Sequence, residues 1–180
     1  MTTSTVVDRA VPQRWVVMGV SGCGKSEVAA RLAARFGLRH VEGDVHHPPE
    51  NVAKMASGIA LDDTDRQGWL LSLARQLAEA AAADASVVLS CSALKRRYRD
   101  VLRGGAPDLI FLHLQGDRAL IAGRMQARAG HFMPVTLLDS QFRDLEPLRN
   151  DETGLTVDIC LAPDALVEQA IRYAESIHAG

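Results

Sequence analysis

Residues 14–26 read RWVVMGVSGCGKS, and the fold of the chain can be predicted outward from this stretch. Its first half is an apolar run that ends in glycine, which predicts a buried β-strand. Its second half, 19–26, matches G-x-x-x-x-G-K-[ST], the phosphate-binding loop that connects a strand to a helix. Apolar side chains then recur at the helical period through 25–36, and Gly37 follows as a stop signal. The stretch therefore predicts a strand, a phosphate-binding loop and a helix, in that order.

Every residue of this loop is a candidate for binding a nucleotide. Its glycines allow backbone N–H groups to turn toward phosphate oxygens at the positive end of the following helix. We expect Lys25 to reach the β- and γ-phosphates and to act in catalysis, and the Ser26 hydroxyl to bind Mg²⁺. The expected ATP-binding set is Gly19, Val20, Ser21, Gly22, Cys23, Gly24, Lys25, Ser26 and, from a later helix, Arg124.

Short apolar runs and amphipathic segments alternate along the rest of the chain. The runs predict strands at 38–42, 86–91, 108–114 and 155–161. The segments predict helices at 65–83, 94–103, 117–129, 134–145 and 164–178. Continuously apolar strands are typical of a parallel sheet covered on both faces. We therefore expect one α/β domain of three layers over 14–180, with five parallel strands and helices on both faces, after a flexible leader at 1–13.

Composition excludes several classes of protein. The net charge of −2 gives no sign of the basic surface that a nucleic-acid or membrane-surface protein needs. No apolar run approaches the ~20 residues of a transmembrane helix. Cys23, Cys91 and Cys160 lie far apart without a C-x-x-C pair, which is typical of reduced thiols in the cytoplasm. We expect a cytoplasmic protein that binds neither nucleic acid nor membrane.

Candidate site residues cluster at the carboxyl ends of the predicted strands, where parallel sheets bind their ligands. The chain has no N-K-x-D sequence for reading guanine, and its third strand lacks the terminal aspartate of motor ATPases. A carboxylate follows the second strand instead, as Asp44. This arrangement favours a kinase for a small hydroxylated metabolite over a GTP switch or a motor.

Four stretches of the sequence resemble the bacterial-type gluconokinases, a branch of the small P-loop kinases. They are GVSGCGKS (19–26), EGDVHHPPENVAKMASGIALDDTDRQGWL (42–70), CSALKRRYRD (91–100) and RMQARAGHFMPVTLLDSQFRDLE (124–146). The resemblance implies ATP-dependent phosphorylation of D-gluconate to 6-phospho-D-gluconate. It also implies the P-loop kinase fold with a mobile lid, and a homodimer.

The residues after the second strand are the first candidates for binding the acceptor. We expect Asp44 to orient or deprotonate the attacking hydroxyl; the alternative is an N-cap for the next helix. His47 is a candidate for a sugar hydroxyl, or else a turn residue. Lys54 is expected to face the same cleft. Arg66 has the planar fork that suits a carboxylate, although Asp62, Asp63 or Asp65 could pair with it instead.

A second group of acceptor candidates follows the third strand. Backbone N–H groups converge at Ser92, and Lys95 is expected to neutralise the transferred phosphoryl group or to bind the gluconate carboxylate. Arg99 lies one helical turn beyond Lys95 and could share its side of the helix. We assign Lys95 a catalytic role as well as substrate binding.

Arg124, Arg128 and His131 are spaced to bring three cations to one face of a helix and its following loop. We expect them to form the lid over ATP, with Arg128 in catalysis and His131 at the substrate. Gln141 and Arg143 are weaker candidates for the same closure. The alternative is an ordinary surface helix that carries two arginines.

Other functions remain open on the residues alone. One is a kinase for another polyol acid such as shikimate, or for a nucleoside monophosphate. A nucleotide acceptor would need more arginine and an apolar base pocket, whereas 44–66 is rich in His and Asp. Another is a P-loop protein that senses ATP without transferring phosphate, which would have no need of Asp44, Lys95 and the lid arginines together.

Overall fold

The computed structural model of the protein describes residues 11–127 and 134–178. Within them, strands and helices alternate as the sequence predicts. The five strands are β1 (Arg14–Met18), β2 (Arg39–Glu42), β3 (Val87–Ser90), β4 (Ile110–Gln115) and β5 (Gly154–Asp158). The seven α-helices are α1 (Lys25–Phe36), α2 (Pro49–Ala56), α3 (Asp63–Ala82), α4 (Arg96–Gly105), α5 (Arg118–Ala127), α6 (Leu138–Asp144) and α7 (Pro163–His178). None of these helices has the length and apolar character of a membrane span.

The five strands form one parallel sheet in the order β2-β3-β1-β4-β5. The central strand β1 is fully buried, and its side chains alternate between two cores. Trp15 and Val17 pack on one face, with α1 and α7. Val16 and Met18 pack on the other face, with α3 and α4. The predicted arrangement of a parallel sheet between two layers of helices is confirmed, and it brings the carboxyl ends of all five strands to one edge.

Local signals set the ends of the helices. Helix α1 covers the predicted residues, and Gly37 ends it in the left-handed conformation, with φ of 67°. Helix α3 begins at Asp63, two residues before the predicted start at 65. The reason is a capping box: the Asp62 side chain accepts from the backbone of Asp65, and the Asp65 side chain accepts from the backbone of Asp62.

The segment between β3 and α4 differs from its predicted form. The strand ends at Ser90, and Ala93 adopts a left-handed conformation with φ of 44°. Lys95 is still extended, so α4 begins at Arg96 rather than at 94. Pro134 lies just before a 3₁₀ turn, Val135–Leu137, that leads into α6.

Arg99 corrects one prediction about the site. Its side chain is fully buried, and its Nε and Nη2 atoms donate to the two carboxylate oxygens of Glu152 at 2.7 and 2.8 Å. Its Nη1 atom donates to the carbonyl oxygens of Ala93, Leu94 and Glu146. The prediction that Arg99 binds the substrate is wrong, because its donors fasten α4 to the segment that precedes β5.

The buried Arg99–Glu152 pair predicts a large loss of stability when one charge is removed. Burial alone would raise the pKa of Glu152, but hydrogen bonds from Arg99 and from the backbone of Arg149 outweigh it and lower the pKa to about 2. Glu152→Gln leaves a buried guanidinium without its counter-charge, so we expect the free energy of unfolding at pH 7 to fall by about 3 kcal/mol. Urea unfolding measures it. The control is Asp151→Asn, since Asp151 is 67% exposed and pairs with Arg96; equal losses in the two variants would contradict the prediction.

Buried His113 predicts a loss of stability in mild acid. Burial, and then the charge of Arg99, lower the pKa of His113 to about 4, from 6.5 in a free side chain. Between pH 6.5 and 4 the unfolded chain therefore binds a proton that the folded chain does not, and the free energy of unfolding falls as the pH is lowered. We expect His113→Asn to lose fewer degrees of Tm across this interval than the unsubstituted protein. Parallel Tm–pH curves would show that His113 does not contribute.

Candidate active site

The phosphate-binding loop wraps around the N-terminus of α1. Gly22 and Gly24 have φ of 79° and 98°, a region that side chains other than glycine disfavour. A Cβ atom on Gly22 would also approach Met125 Cγ to 2.4 Å. Gly24 occupies the N-cap position and has no side chain with which to cap the first N–H groups of the helix. These donors are therefore suited to an anion, which fits the phosphates of a nucleotide.

Two contacts fix the loop to its surroundings. The backbone N–H of Gly19 donates to the carbonyl oxygen of Ser92 at 3.2 Å, which ties the start of the loop to the end of β3. Lys25 is 9% exposed, and its Nζ donates to the carbonyl oxygen of Val20 at 3.0 Å, so the ammonium lies across the mouth of the loop. Ser26 is exposed in the first turn of α1, where its hydroxyl can reach an ion beside the phosphates.

A pocket of about 380 Å³ opens on one side of the loop. Its wall is both polar and apolar and comes from the loop, α1, α5 and the segment after β5. Arg124 belongs to this wall, and its Nη2 donates to the carbonyl oxygen of Ile159 at 2.8 Å. The lining residues are Gly22, Cys23, Gly24, Glu27, Val28, Arg124, Ala127, Ile159, Leu161, Pro163 and Leu166.

A second, smaller cleft lies on the other side of the loop, and we call it the acceptor cleft. It is lined by Ser21, Lys25, Asp44, His47, Met55, Arg66, Ser92 and Gln141. Five of these were predicted at the acceptor or in catalysis from segments far apart in sequence: Lys25, Asp44, His47, Arg66 and Ser92. The space inside is about 20 Å³. Such a space holds about one water molecule, so the walls must move apart to admit a sugar acid.

Asp44 owes its place to tight packing at the end of β2. It lies in a 3₁₀ turn, Gly43–His46, that follows the strand directly. A Cβ atom on Gly43 would approach the carbonyl oxygen of Ser90 to 2.3 Å, so only glycine lets the turn pass so close to β3. Trp69 Nε1 holds the turn by donating to the Gly43 carbonyl oxygen at 2.8 Å. The alternative role of Asp44 as a helix N-cap is wrong, because Pro48 occupies that position in α2.

His47 is a neutral ring at the edge of the cleft. It stacks on Trp69 with the ring centroids 4.0 Å apart. Burial, and then the charge of Arg66, lower the pKa of His47 to about 4. Within the described residues its buried Nδ1 atom has no hydrogen-bond partner. An unpaired ring nitrogen in a cleft suits a hydroxyl group of a bound ligand.

Arg66 brings a buried positive charge to the cleft. Its side chain is 6% exposed, its Nε donates to the Leu61 carbonyl oxygen at 3.4 Å, and its guanidinium lies 5.7 Å from the centre of the Tyr98 ring. The nearby aspartates have other partners. Asp65 pairs with Lys54. Asp63 pairs with Lys95 and Arg97, and it accepts a hydrogen bond from the Tyr98 hydroxyl. The described contacts thus differ from the alternative in which one of these aspartates pairs with Arg66.

Lys54 and Lys95 lie outside the wall of the acceptor cleft. Lys54 Nζ is 2.6 Å from the Asp65 carboxylate. Lys95 Nζ lies 3.1 Å from Asp63 and 3.4 Å from Asp144. Each lysine would have to leave these carboxylates to reach a ligand, so their substrate roles stay predictions. Arg128 and His131 lie outside the described residues, and the predicted lid of which they are part stays a prediction too.

Two residues of the cleft were weakly signalled or missed. Met55 packs with Leu61 and Leu137 in a small cluster beneath the cleft, and only its helical spacing within α2 could have indicated burial. Gln141 was a weak candidate for the closing segment. Its Oε1 accepts from the backbone N–H of Ser21 at 2.6 Å across 120 residues of sequence. No local pattern specifies such a distant contact.

Known proteins resemble this chain over most of its length. Residues 15–148 match the family model described as an AAA domain. The gluconokinase of Gluconobacter oxydans (strain 621H) is 45% identical over 165 residues, which cover 92% of this chain and 93% of that protein.

Two solved structures are similar along nearly the whole fold. A sugar kinase from Janibacter sp. HTCC2649, in an unliganded structure, is 48% identical with a TM-score of 0.88, over 91% of this chain and 95% of the other. A gluconokinase from Sinorhizobium meliloti 1021 is 44% identical with a TM-score of 0.84, over 94% and 95% of the two chains. Because the likeness in sequence and in fold spans most of both chains, the chain belongs to the gluconokinase family.

Proposed function

We propose that the protein transfers the γ-phosphoryl group of ATP to the 6-hydroxyl group of D-gluconate, forming ADP and 6-phospho-D-gluconate. The observation that carries the proposal is that Lys25 of the phosphate-binding loop and Asp44 after β2 line the same cleft. A phosphate donor and a carboxylate are therefore available to one bound acceptor. Membership of the gluconokinase family supports gluconate as that acceptor.

The donor side of the proposal rests on the loop and the larger pocket. The loop N–H groups bind the phosphates of ATP, the larger pocket takes its nucleoside, and Arg124 lies beside it. Lys25 neutralises the β- and γ-phosphates. Ser26 would hold Mg²⁺ through its hydroxyl group. When bound, the ion would neutralise negative charge on the phosphates.

On the acceptor side, Asp44 orients the attacking hydroxyl and accepts its proton. Phosphoryl transfer depends mainly on alignment and charge, so a carboxylate within reach of the hydroxyl is sufficient. Arg66 binds the gluconate carboxylate, because its buried guanidinium offers a planar pair of donors. His47, through its unpaired Nδ1, and Ser92 bind hydroxyl groups of the sugar acid.

Four further basic side chains belong to the proposed site. Lys95 leaves Asp63 and Asp144 to approach the transferred phosphoryl group, and Lys54 turns from Asp65 toward the acceptor. Arg128 stabilises the transferred group from a mobile lid, and His131 contacts the acceptor. For Arg128 and His131 the support is the sequence pattern and the family resemblance.

We also propose that the protein is a homodimer in the cytoplasm. The homodimer rests on the family resemblance. The three cysteines are all free thiols, two of them buried, which supports a reducing compartment.

The acceptor can be tested directly by measuring ADP release with purified protein, ATP and Mg²⁺. We expect turnover with gluconate, for which the family is named, and little or none with shikimate or other sugar acids. AMP should also be a poor acceptor, because Arg66 is the one arginine among the described lining residues and a nucleotide phosphate needs more. Turnover with shikimate or AMP but not with gluconate would contradict the proposal. Tight ATP binding without turnover on any acceptor would support a sensor instead.

Asp44→Asn tests the proposed role of the carboxylate. The amide is nearly the same shape but cannot accept the proton, so we expect kcat to fall by roughly 10²–10⁴-fold while the affinity for ATP stays within about twofold. Initial rates and calorimetric titration with ATP measure the two quantities. Glu50→Gln, on the first turn of α2 and outside the cleft, is the matched control and should retain full activity. An unchanged kcat in Asp44→Asn would remove Asp44 from the mechanism.

A further inference from the structure

The contact between Gln141 and Ser21 joins two parts of the site that are remote in sequence. Gln141 lies on α6 with its side chain 6% exposed. Its Oε1 atom accepts a hydrogen bond from the backbone N–H of Ser21, with the oxygen and nitrogen 2.6 Å apart. Both residues line the acceptor cleft. The carboxamide therefore closes one wall of this cleft directly onto the phosphate-binding loop.

Ser21 occupies the boundary between the two pockets. The next three loop residues, 22–24, line the nucleotide pocket, whereas Ser21 and Lys25 line the acceptor cleft. A phosphoryl group that passes from donor to acceptor must cross this boundary. A shift of the loop at Ser21 would therefore change the alignment of donor and acceptor more than it would change the affinity for the nucleotide.

Other contacts fix α6 at its C-terminal end. The backbone N–H of Glu146 donates to the Leu94 carbonyl oxygen at 2.8 Å, and its side-chain Oε2 accepts from the backbone N–H of Arg96 at 2.8 Å. Both partners belong to the segment after β3, beside the cleft. Gln141 is thus carried on a helix that is anchored to the same edge of the sheet as the loop.

We propose that Gln141 is a positioning residue for phosphoryl transfer, because its hydrogen bond with Ser21 aligns the acceptor end of the phosphate-binding loop when the cleft is closed. The proposal rests on the proposed function for the identity of the acceptor. Transfer to an acceptor depends strongly on alignment, whereas nucleotide binding draws on the remaining loop donors as well. A cleft that is closed less firmly also admits water, which can then take the γ-phosphoryl group in place of the acceptor.

The test compares two substitutions of similar length. Gln141→Met removes the accepting oxygen, and Gln141→Glu keeps an oxygen at the same reach. For Gln141→Met we expect kcat with gluconate to fall about tenfold or more, KM for ATP to stay within about twofold, and more than one ADP to be released for each 6-phosphogluconate formed. For Gln141→Glu we expect this ratio to return toward one, although the added charge weakens ATP binding. Ser140→Ala is the matched control, since the Ser140 hydroxyl donates to the carbonyl oxygen of Leu137 at the start of its own helix, and it should leave the ratio and both KM values unchanged.

Hydrogen exchange at the Ser21 amide provides a readout that needs no acceptor. In nucleotide-free protein the amide should exchange faster in Gln141→Met than in the unsubstituted protein, and Gln141→Glu should restore its protection. Unchanged exchange and an unchanged product ratio in Gln141→Met would overturn the inference, as would an equal effect of Ser140→Ala. If the unsubstituted protein did not phosphorylate gluconate, the proposed function would fail, and the exchange of Ser21 would still decide whether Gln141 holds the loop.

Discussion

Close packing of backbone at the carboxyl ends of three neighbouring strands is the constraint on which the site depends. The loop after β1 is tied to the end of β3 by the hydrogen bond from Gly19 to Ser92. The turn after β2 approaches the same strand so closely that Gly43 has no room for a side chain. These two approaches set the distance between Lys25 and Asp44, and hence between the donor and acceptor sides. Close packing of the backbone therefore fixes the positions of the site residues, and their side chains fill the space that is left between these segments.

The distribution of charge follows from this crowding. Arg99 lies under the segment after β3, where its five donors are taken by Glu152 and by carbonyl oxygens. Lys54 and Lys95 are held by surface carboxylates near the opening. Arg66 instead faces the cleft, beside His47. The charge of Arg66 is thus buried and oriented at the cleft, whereas Lys54 and Lys95 remain able to change partners at small cost, since partly exposed ion pairs are weak.

The sequence was sufficient for the parallel sheet, for the helix after the phosphate-binding loop and for the placing of Asp44 and Ser92 at one rim. These predictions succeeded because each depends on local periodicity and on the rule that parallel strands end at one edge. Arg99 could not be predicted correctly, because its burial depends on Glu152, whose place is set by tertiary packing. Gln141 and Met55 depend likewise on how α6 and α2 pack across the cleft. Helix α3 begins two residues before its predicted start, because the capping box between Asp62 and Asp65 extends it to Asp63.

The small volume of the acceptor cleft has a thermodynamic consequence. A sugar acid does not fit into this volume, so the cleft must open before gluconate can bind, and only the open fraction of molecules is competent. The measured dissociation constant for the acceptor is then the intrinsic constant divided by that fraction. Substitutions far from any sugar contact can change the apparent affinity by altering this population alone. Selectivity among sugar acids is less affected, because the cost of opening is shared by all of them and cancels when two acceptors are compared.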